Sequence, residues 1–222
     1  MARAPASHLT LVDTASLFHA GEAIAAESGS EKRLSPRYDV LLRKLGEFRA
    51  LKKWPKADLN LALAAVDRNN PQQQRFLEAL RRAGFDVDAV DFRETFPSVP
   101  PSLSRKDEGR PAPSFTARIA YVAGLLAQRP DAASLLVVTH AVELLPLLLD
   151  LTERLKDGHV GVAYFGSLLE SRWRRLKELQ PGAGGAVPEF LDLDDTSLEI
   201  FGVDISTNTD SASEVRAGLN RF

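Results

Sequence analysis

The sequence predicts a three-layer α/β sandwich around a central parallel sheet of about five strands, in the order 3-2-1-4-5. Apolar runs of strand length alternate with stretches of helical periodicity, and each parallel crossover needs a helix and turns right-handed. Two of the runs, Leu9-Thr10-Leu11-Val12-Asp13 and Leu135-Leu136-Val137-Val138-Thr139-His140, end on polar groups, with Glu143 three residues beyond the second. In an open parallel sheet the carboxyl ends of the strands face the ligand crevice at the reversal of strand order, so Asp13 and the Thr139–Glu143 turn are expected to be neighbours.

The first strand spans about 8–13. Residues 14–53 follow as two helical pieces, broken by Glu27-Ser28-Gly29-Ser30-Glu31-Lys32 and by Ser35-Pro36, which suits a helix start. Leu41, Leu42, Leu45, Phe48 and Leu51 form an apolar stripe at helical spacing. The second strand, Leu59 to Val66, runs into Asp67-Arg68-Asn69-Asn70-Pro71, a polar cluster that caps a helix over about 71–83 with Phe76, Leu77 and Leu80 inward and Gly84 at its end. Phe85 to Phe92 alternates apolar residues with Asp86, Asp88 and Asp91, the pattern of an edge strand. Residues 93–113 carry five prolines among charges and read as a long loop. A helix over 114–128, a strand over 134–139, a helix over 142–156, a strand over 159–165 and a basic helix over 167–178 complete the domain. Pro181-Gly182-Ala183-Gly184-Gly185 is a linker, and 189–222 is expected to be an acidic tail with one short strand at most, at Leu198–Val203.

The chain has 222 residues, 44% of them hydrophobic and 26% charged. That length accommodates one domain over 1–180, followed by the linker and tail of 181–222. With 28 basic and 30 acidic residues the net charge is -2, so no global positive field attracts nucleic acid and any contact must use a local patch. Cysteine is absent, which excludes disulfides, thiolate ligands and cysteine nucleophiles. Neither a membrane span nor a signal peptide is visible, so a cytoplasmic chain is expected. There is no glycine-rich phosphate loop and no Gly-x-Ser-x-Gly elbow. Asp192-Leu193-Asp194-Asp195-Thr196 resembles the opening motif of haloacid dehalogenase-type phosphatases, but only 27 residues follow Asp195, too few for that sheet.

Two stretches carry a broader resemblance. Leu11-Val12-Asp13-Thr14-Ala15-Ser16-Leu17-Phe18 resembles the opening strand end of the NYN family, a branch of the PIN-like metal-dependent ribonucleases, and Val138-Thr139-His140-Ala141-Val142-Glu143-Leu144-Leu145-Pro146-Leu147 resembles its Ser-Gly-Asp-x-Asp-Phe-x-Pro-Leu segment. The likeness covers about residues 8–166 and implies a PIN-like fold. It also implies a phosphodiesterase site in which Asp13 and Glu143 hold Mg²⁺ or Mn²⁺, with Asp67 or Asp91 completing the shell and His140 near the scissile phosphate. Departures fall at the acidic positions. Ser16 stands for the family's Asn, Ala141 replaces one acid, and Ser114-Phe115-Thr116-Ala117-Arg118 has no carboxylate where the family's Lys-Gly-x-Asp has one. A degenerate site with reduced or no nuclease activity is therefore expected, the alternative being a non-catalytic RNA- or protein-binding scaffold.

Each residue also has a plainer reading. Asp13 suits a helix N-cap, Glu143 a first-turn acid and His140 a hydrogen-bonded turn histidine. Six cations between Arg43 and Lys56, Lys52 and Lys53 among them, are opposed only by Glu47, and Arg172, Arg174, Arg175 and Lys177 form a second cluster. With Arg68 these are the candidate RNA contacts; Trp54 and Trp173 lie beside the clusters, as single-stranded nucleic acid prefers, although a solvated helix face gives the same pattern. A protein partner would use the C-terminal tail or the 93–113 loop. The oligomeric state is open.

Overall fold

The computed structural model describes residues 7–27, 34–66, 70–91, 115–128, 133–155, 158–166 and 187–202. The 93–113 loop, the basic stretch 167–178 and the 181–185 linker lie outside them. The described chain runs β1 (His8–Asp13), α1 (Thr14–Glu27), α2 (Tyr38–Leu51), β2 (Leu59–Val66), α3 (Pro71–Arg82), β3 (Asp86–Asp91), α4 (Thr116–Ala127), β4 (Ser134–Val138), a 3₁₀ turn (Val142–Leu144), α5 (Leu145–Arg154), β5 (His159–Tyr164), β6 (Glu189–Asp192) and α6 (Ser197–Phe201). Six strands pair in parallel in the order β3-β2-β1-β4-β5-β6. The expected order of the first five is therefore present, with a sixth strand added beside β5.

Strand alternation divides the core between two faces. Val12, Ala64, Leu136, Val138 and Ala163 meet Leu17 of α1, Leu41, Leu45 and Phe48 of α2, and Leu77 and Leu80 of α3. Leu11, Leu63, Leu135, Val137 and Val162 face the other way, onto Ile119, Ala123 and Leu126 of α4 and Leu148 and Leu151 of α5. Right-handed crossovers explain the division. Progress from β1 to β3 puts connecting helices on one face, and the return from β3 across the sheet to β4 puts α4 and α5 on the other.

Local chemistry sets the boundaries. The Asn70 side chain accepts the Gln72 N–H at 3.0 Å, and Pro71 occupies the first turn of α3. Gly84 has φ +101°, which lets the chain leave α3 with Gly84 N–H donating to the Arg81 carbonyl and Phe85 N–H to that of Leu80. The stripe on α2 is buried at Leu41, Leu45 and Phe48, whereas Leu51 is 78% exposed. Glu143 lies in the 3₁₀ turn, and α5 starts only at Leu145, later than the helix expected from 142.

The C-terminal segment departs most from the sequence reading. Within the expected tail, Glu189–Asp192 pairs with β5, and the apolar run expected as a strand instead forms α6 over Ser197–Phe201. Leu193, Ile200 and Phe201 enter the core beside α1 and α2, which gives the segment 187–202 three buried anchors that a solvated tail lacks. Gly202, with φ +63°, ends α6. The segment 187–202 is thus a strap across one edge of the domain rather than a tail. Phe201→Ala is expected to destabilise the protein by about 3–5 kcal/mol in urea unfolding; a change within about 0.5 kcal/mol, as at a surface site, would contradict the packing of the strap.

Candidate functional site

Asp13 closes β1 and opens onto α1, and β4 pairs alongside, so Thr139 and His140 leave the sheet beside it. The Asp13 carboxylate is 6% exposed and accepts four hydrogen bonds. Oδ1 takes the backbone N–H groups of Ala15 at 3.0 Å and Ser16 at 3.3 Å, satisfying two open donors of the first turn of α1. Oδ2 takes the Ser16 hydroxyl at 2.8 Å and the Thr139 hydroxyl at 3.4 Å. Ser16 Oγ in turn accepts the His140 N–H at 3.1 Å, and Thr139 Oγ1 accepts the Ala141 N–H at 3.1 Å. Thr14 donates its hydroxyl to the Leu63 carbonyl at 2.8 Å and pins the start of α1 to β2.

Burial pushes the Asp13 carboxyl above its ordinary range, and its four hydrogen bonds only partly oppose this. His140 extends the network to β5. Its Nε2 accepts the Phe165 N–H at 3.1 Å, which places the ring proton on Nδ1. Burial, and secondarily the neighbouring His19, lower its pKa to about 4. At neutral pH His140 is an uncharged acceptor that ties the tips of β4 and β5 together.

The tips of β1 and β4 thus join Asp13, Ser16, Thr139 and His140. Glu143 is exposed on the 3₁₀ turn and contributes no hydrogen bond to this network. Asp67 and Arg68 lie outside the described residues; Asp91 ends β3, the edge strand two places from β1. Asp192 closes β6, three strand spacings from β1, about 14 Å away, too far to share an ion with Asp13. Arg118, in the first turn of α4, pairs with Asp88 at 2.6 Å. Among the described residues no three acids or histidines converge on a cation-sized point. With both Asp13 oxygens already hydrogen-bonded, the described donors do not by themselves fit a divalent-ion site.

The first basic cluster is also rearranged. Arg49 is 3% exposed and braces the amino ends of the strands, donating to the Leu9 carbonyl, to the Pro55 carbonyl at 3.1 Å and to Ser134 Oγ at 2.8 Å. Burial lowers its pKa to about 10, still cationic at neutral pH. Trp54, 5% exposed, stacks on His159 with centroids 5.0 Å apart and meets Phe48 edge-on at 5.5 Å, so it offers no open face to a nucleobase. Gly161 makes room for it, since a Cβ there would lie 2.7 Å from the indole. Lys52 pairs with Glu189 at 2.7 Å, and Lys53 is exposed with φ 58°. Arg172, Arg175 and Trp173 lie outside the described residues.

Sequence reasoning missed the brace and the strap. Arg49 shares the helical phase of Leu41, Leu45 and Phe48, a signal that it faces inward. Glu189 and Glu199, which pair with the basic face, had no such signal because they lie on β6 and α6, neither of which was foreseen. No family model, curated protein or solved structure matches the chain. No described helix is long and apolar enough to cross a membrane.

Two measurements follow. The ordinary histidine pKa of about 6.5 exceeds the folded value of about 4. The folded state therefore binds fewer protons, and the contribution of His140 is complete above pH 6.5 and lost as pH falls towards 4. Urea unfolding of the wild type should lose on the order of 3 kcal/mol more than His140→Gln across that window; parallel pH profiles would remove His140 from the network. Asp13 has the opposite sign, since a raised acid pKa means that its charge opposes folding at neutral pH. Asp13→Asn should keep the cap and change stability by less than about 1 kcal/mol, whereas Asp13→Ala should cost about 1–3 kcal/mol; equal losses would contradict the hydrogen-bond assignment.

Proposed function

We propose that this chain is a PIN-like domain of NYN type, related to metal-dependent ribonucleases, whose site is degenerate and has reduced or no nuclease activity. The observation that carries this reading is the environment of Asp13. An aspartate stands at the tip of the first strand, beside the fourth, but its Oδ2 partners there are the hydroxyls of Ser16 and Thr139 rather than further acids gathered around an ion. The strand order 3-2-1-4-5 within the sheet supports the same reading. Mg²⁺ or Mn²⁺ is the ion the reading implies, held by Asp13 with Glu143 and Asp67. Exposed Glu143 and fully engaged Asp13 make a poor pair of ligands for it, which supports degeneracy.

The alternative is a non-catalytic RNA- or protein-binding scaffold of the same fold; the cations along α2 that would serve it, Arg43, Lys44 and Lys52, are each paired with a carboxylate of the chain. One assay tests whether Asp13 supports any cleavage. Purified protein is incubated with unstructured and structured RNA and Mn²⁺, beside Asp13→Asn. The expected result is no Mn²⁺-dependent cleavage above that of the variant. Cleavage that Asp13→Asn lowers by about 100-fold or more, as expected when a metal ligand is lost, would overturn degeneracy; cleavage that the change leaves untouched would remove Asp13 from the chemistry.

A further inference from the structure

We propose that Asp86 and Asp88 guard β3 against pairing with the β3 of a second copy of this chain. The guard is independent of the nuclease-related reading above. β3 ends the sheet, and among the described residues it pairs only with β2. An edge strand presents a row of backbone donors and acceptors that another strand can join, and its own side chains decide whether one does. Val87 and Ala89 pack into the core on the α1–α3 face, and Val90 into the core on the α4 face. The acids interrupt this apolar strand on the α4 face. Asp88 stands opposite fully buried Leu63 of β2, and its side chain is only 24% exposed. Arg118 of α4 holds it there at 2.6 Å. Asp86 is exposed two residues earlier on the same face. An inward-pointing charge on an edge strand is tolerated while water still reaches it from the open side, and an arriving strand removes that water.

Identical chains associate most simply about a two-fold axis, which makes the two β3 strands antiparallel. With that axis perpendicular to the sheet, the two sheets continue one another and directly opposite residues share a face. When Asp88 faces Asp88 of the second copy, Asp86 faces Val90. Displacing one strand by two residues in one direction sets Asp86 against Asp88 in both halves of the pair. Displacing it in the other sets Asp88 against Val90. Directly opposite Cβ atoms lie about 4.5–5.5 Å apart, so each register brings carboxylates together or closes one against a valine. Arg118 does not relieve this, because it already serves Asp88 of its own copy and burying the pair costs desolvation. Asp88 also has a plainer role, to fix α4 on the sheet through Arg118. That role alone predicts the same consequence from losing either partner of the ion pair, whereas the guard depends on the acids.

The test is sedimentation velocity of the full chain, with hydrogen exchange read at the amides of β3. Asp86→Thr with Asp88→Thr, which keeps strand-forming side chains, should self-associate at least about tenfold more tightly than wild type, and the amides of 86–91 should exchange more slowly in the assembly. Asp150→Asn with Glu153→Gln makes an equal change in net charge on α5 and should match wild type. Arg118→Gln breaks the ion pair but leaves both acids, and should also match wild type. Asp86→Thr alone, at an exposed position, gives a smaller gain and serves if thermal melting shows the double variant unfolded. Equal association of wild type and the folded variants, an equal gain in Arg118→Gln or in the α5 control, or an assembly that leaves 86–91 exchanging as in the monomer would each overturn the proposal. So would a wild-type dimer in which those amides are already slowed.

Discussion

Parallel pairing of β1 with β4 is the constraint from which the remaining arrangement follows. These strands are distant in sequence, so the chain must build outwards through β2 and β3, cross back, and build outwards again through β5 and β6. Right-handed crossovers then place α1 to α3 on one face and α4 and α5 on the other. The strand order reverses at the β1–β4 junction, the place where open parallel sheets form their ligand crevices, and Asp13 stands at the tip of β1 there. Its carboxylate must cap α1 while buried, and four donors converge on it for that reason. Once they do, Ser16, Thr139 and His140 have little freedom, because each also accepts or donates a bond that ties two elements together.

At the opposite end of the sheet a buried charge has a different role. Arg49 uses its donors on Leu9, Pro55 and Ser134, neutral acceptors that belong to β1, the α2–β2 turn and β4, with the Trp54 ring 5.6 Å from its guanidinium. A lysine offers no planar fork with which to reach three acceptors in different directions. Burial lowers the Arg49 pKa, but a guanidinium starts so high that the brace stays charged where a buried lysine would lose its proton more readily. The basic run in the sequence therefore divides into a structural arginine that faces inward and a solvent-side group that meets the strap.

Legibility of the sequence followed the range of the forces involved. The first five strands, α1 to α3 and the cap at Asn70 depend on periodicity and on side chains a few residues apart, and these could be read directly. Sheet order was accessible because crossover handedness leaves few alternatives. The strap was not legible. Glu189–Asp192 is four residues long, and its strand character comes from an open edge of β5 rather than from its own pattern; Leu198 to Phe201 is helical because Ile200 and Phe201 fill space above α1 and α2. The site was half legible. Asp13 and the β4 tip were placed by the end-of-strand rule, but nothing local shows that Glu143 lies on the solvent side of its turn or that His140 turns Nε2 towards the Phe165 amide.

Hydroxyls and a cluster of carboxylates beside a buried aspartate have opposite electrostatic consequences. Several acids held together repel one another and raise one another's pKa values, so a cluster of them needs a cation to be stable in its ionised form. A lone carboxylate surrounded by Ser16, Thr139 and two amides needs none, because donors within the chain supply the positive ends of dipoles that the ion would otherwise provide. The residual desolvation that raises the Asp13 pKa is the part those dipoles do not offset. Hydrogen-bond donors at this position therefore make the fold independent of a metal at Asp13. Asp13 is thereby stable on the chain's own donors, as a cap on α1 and as the joint between β1 and β4, whether or not it meets a ligand.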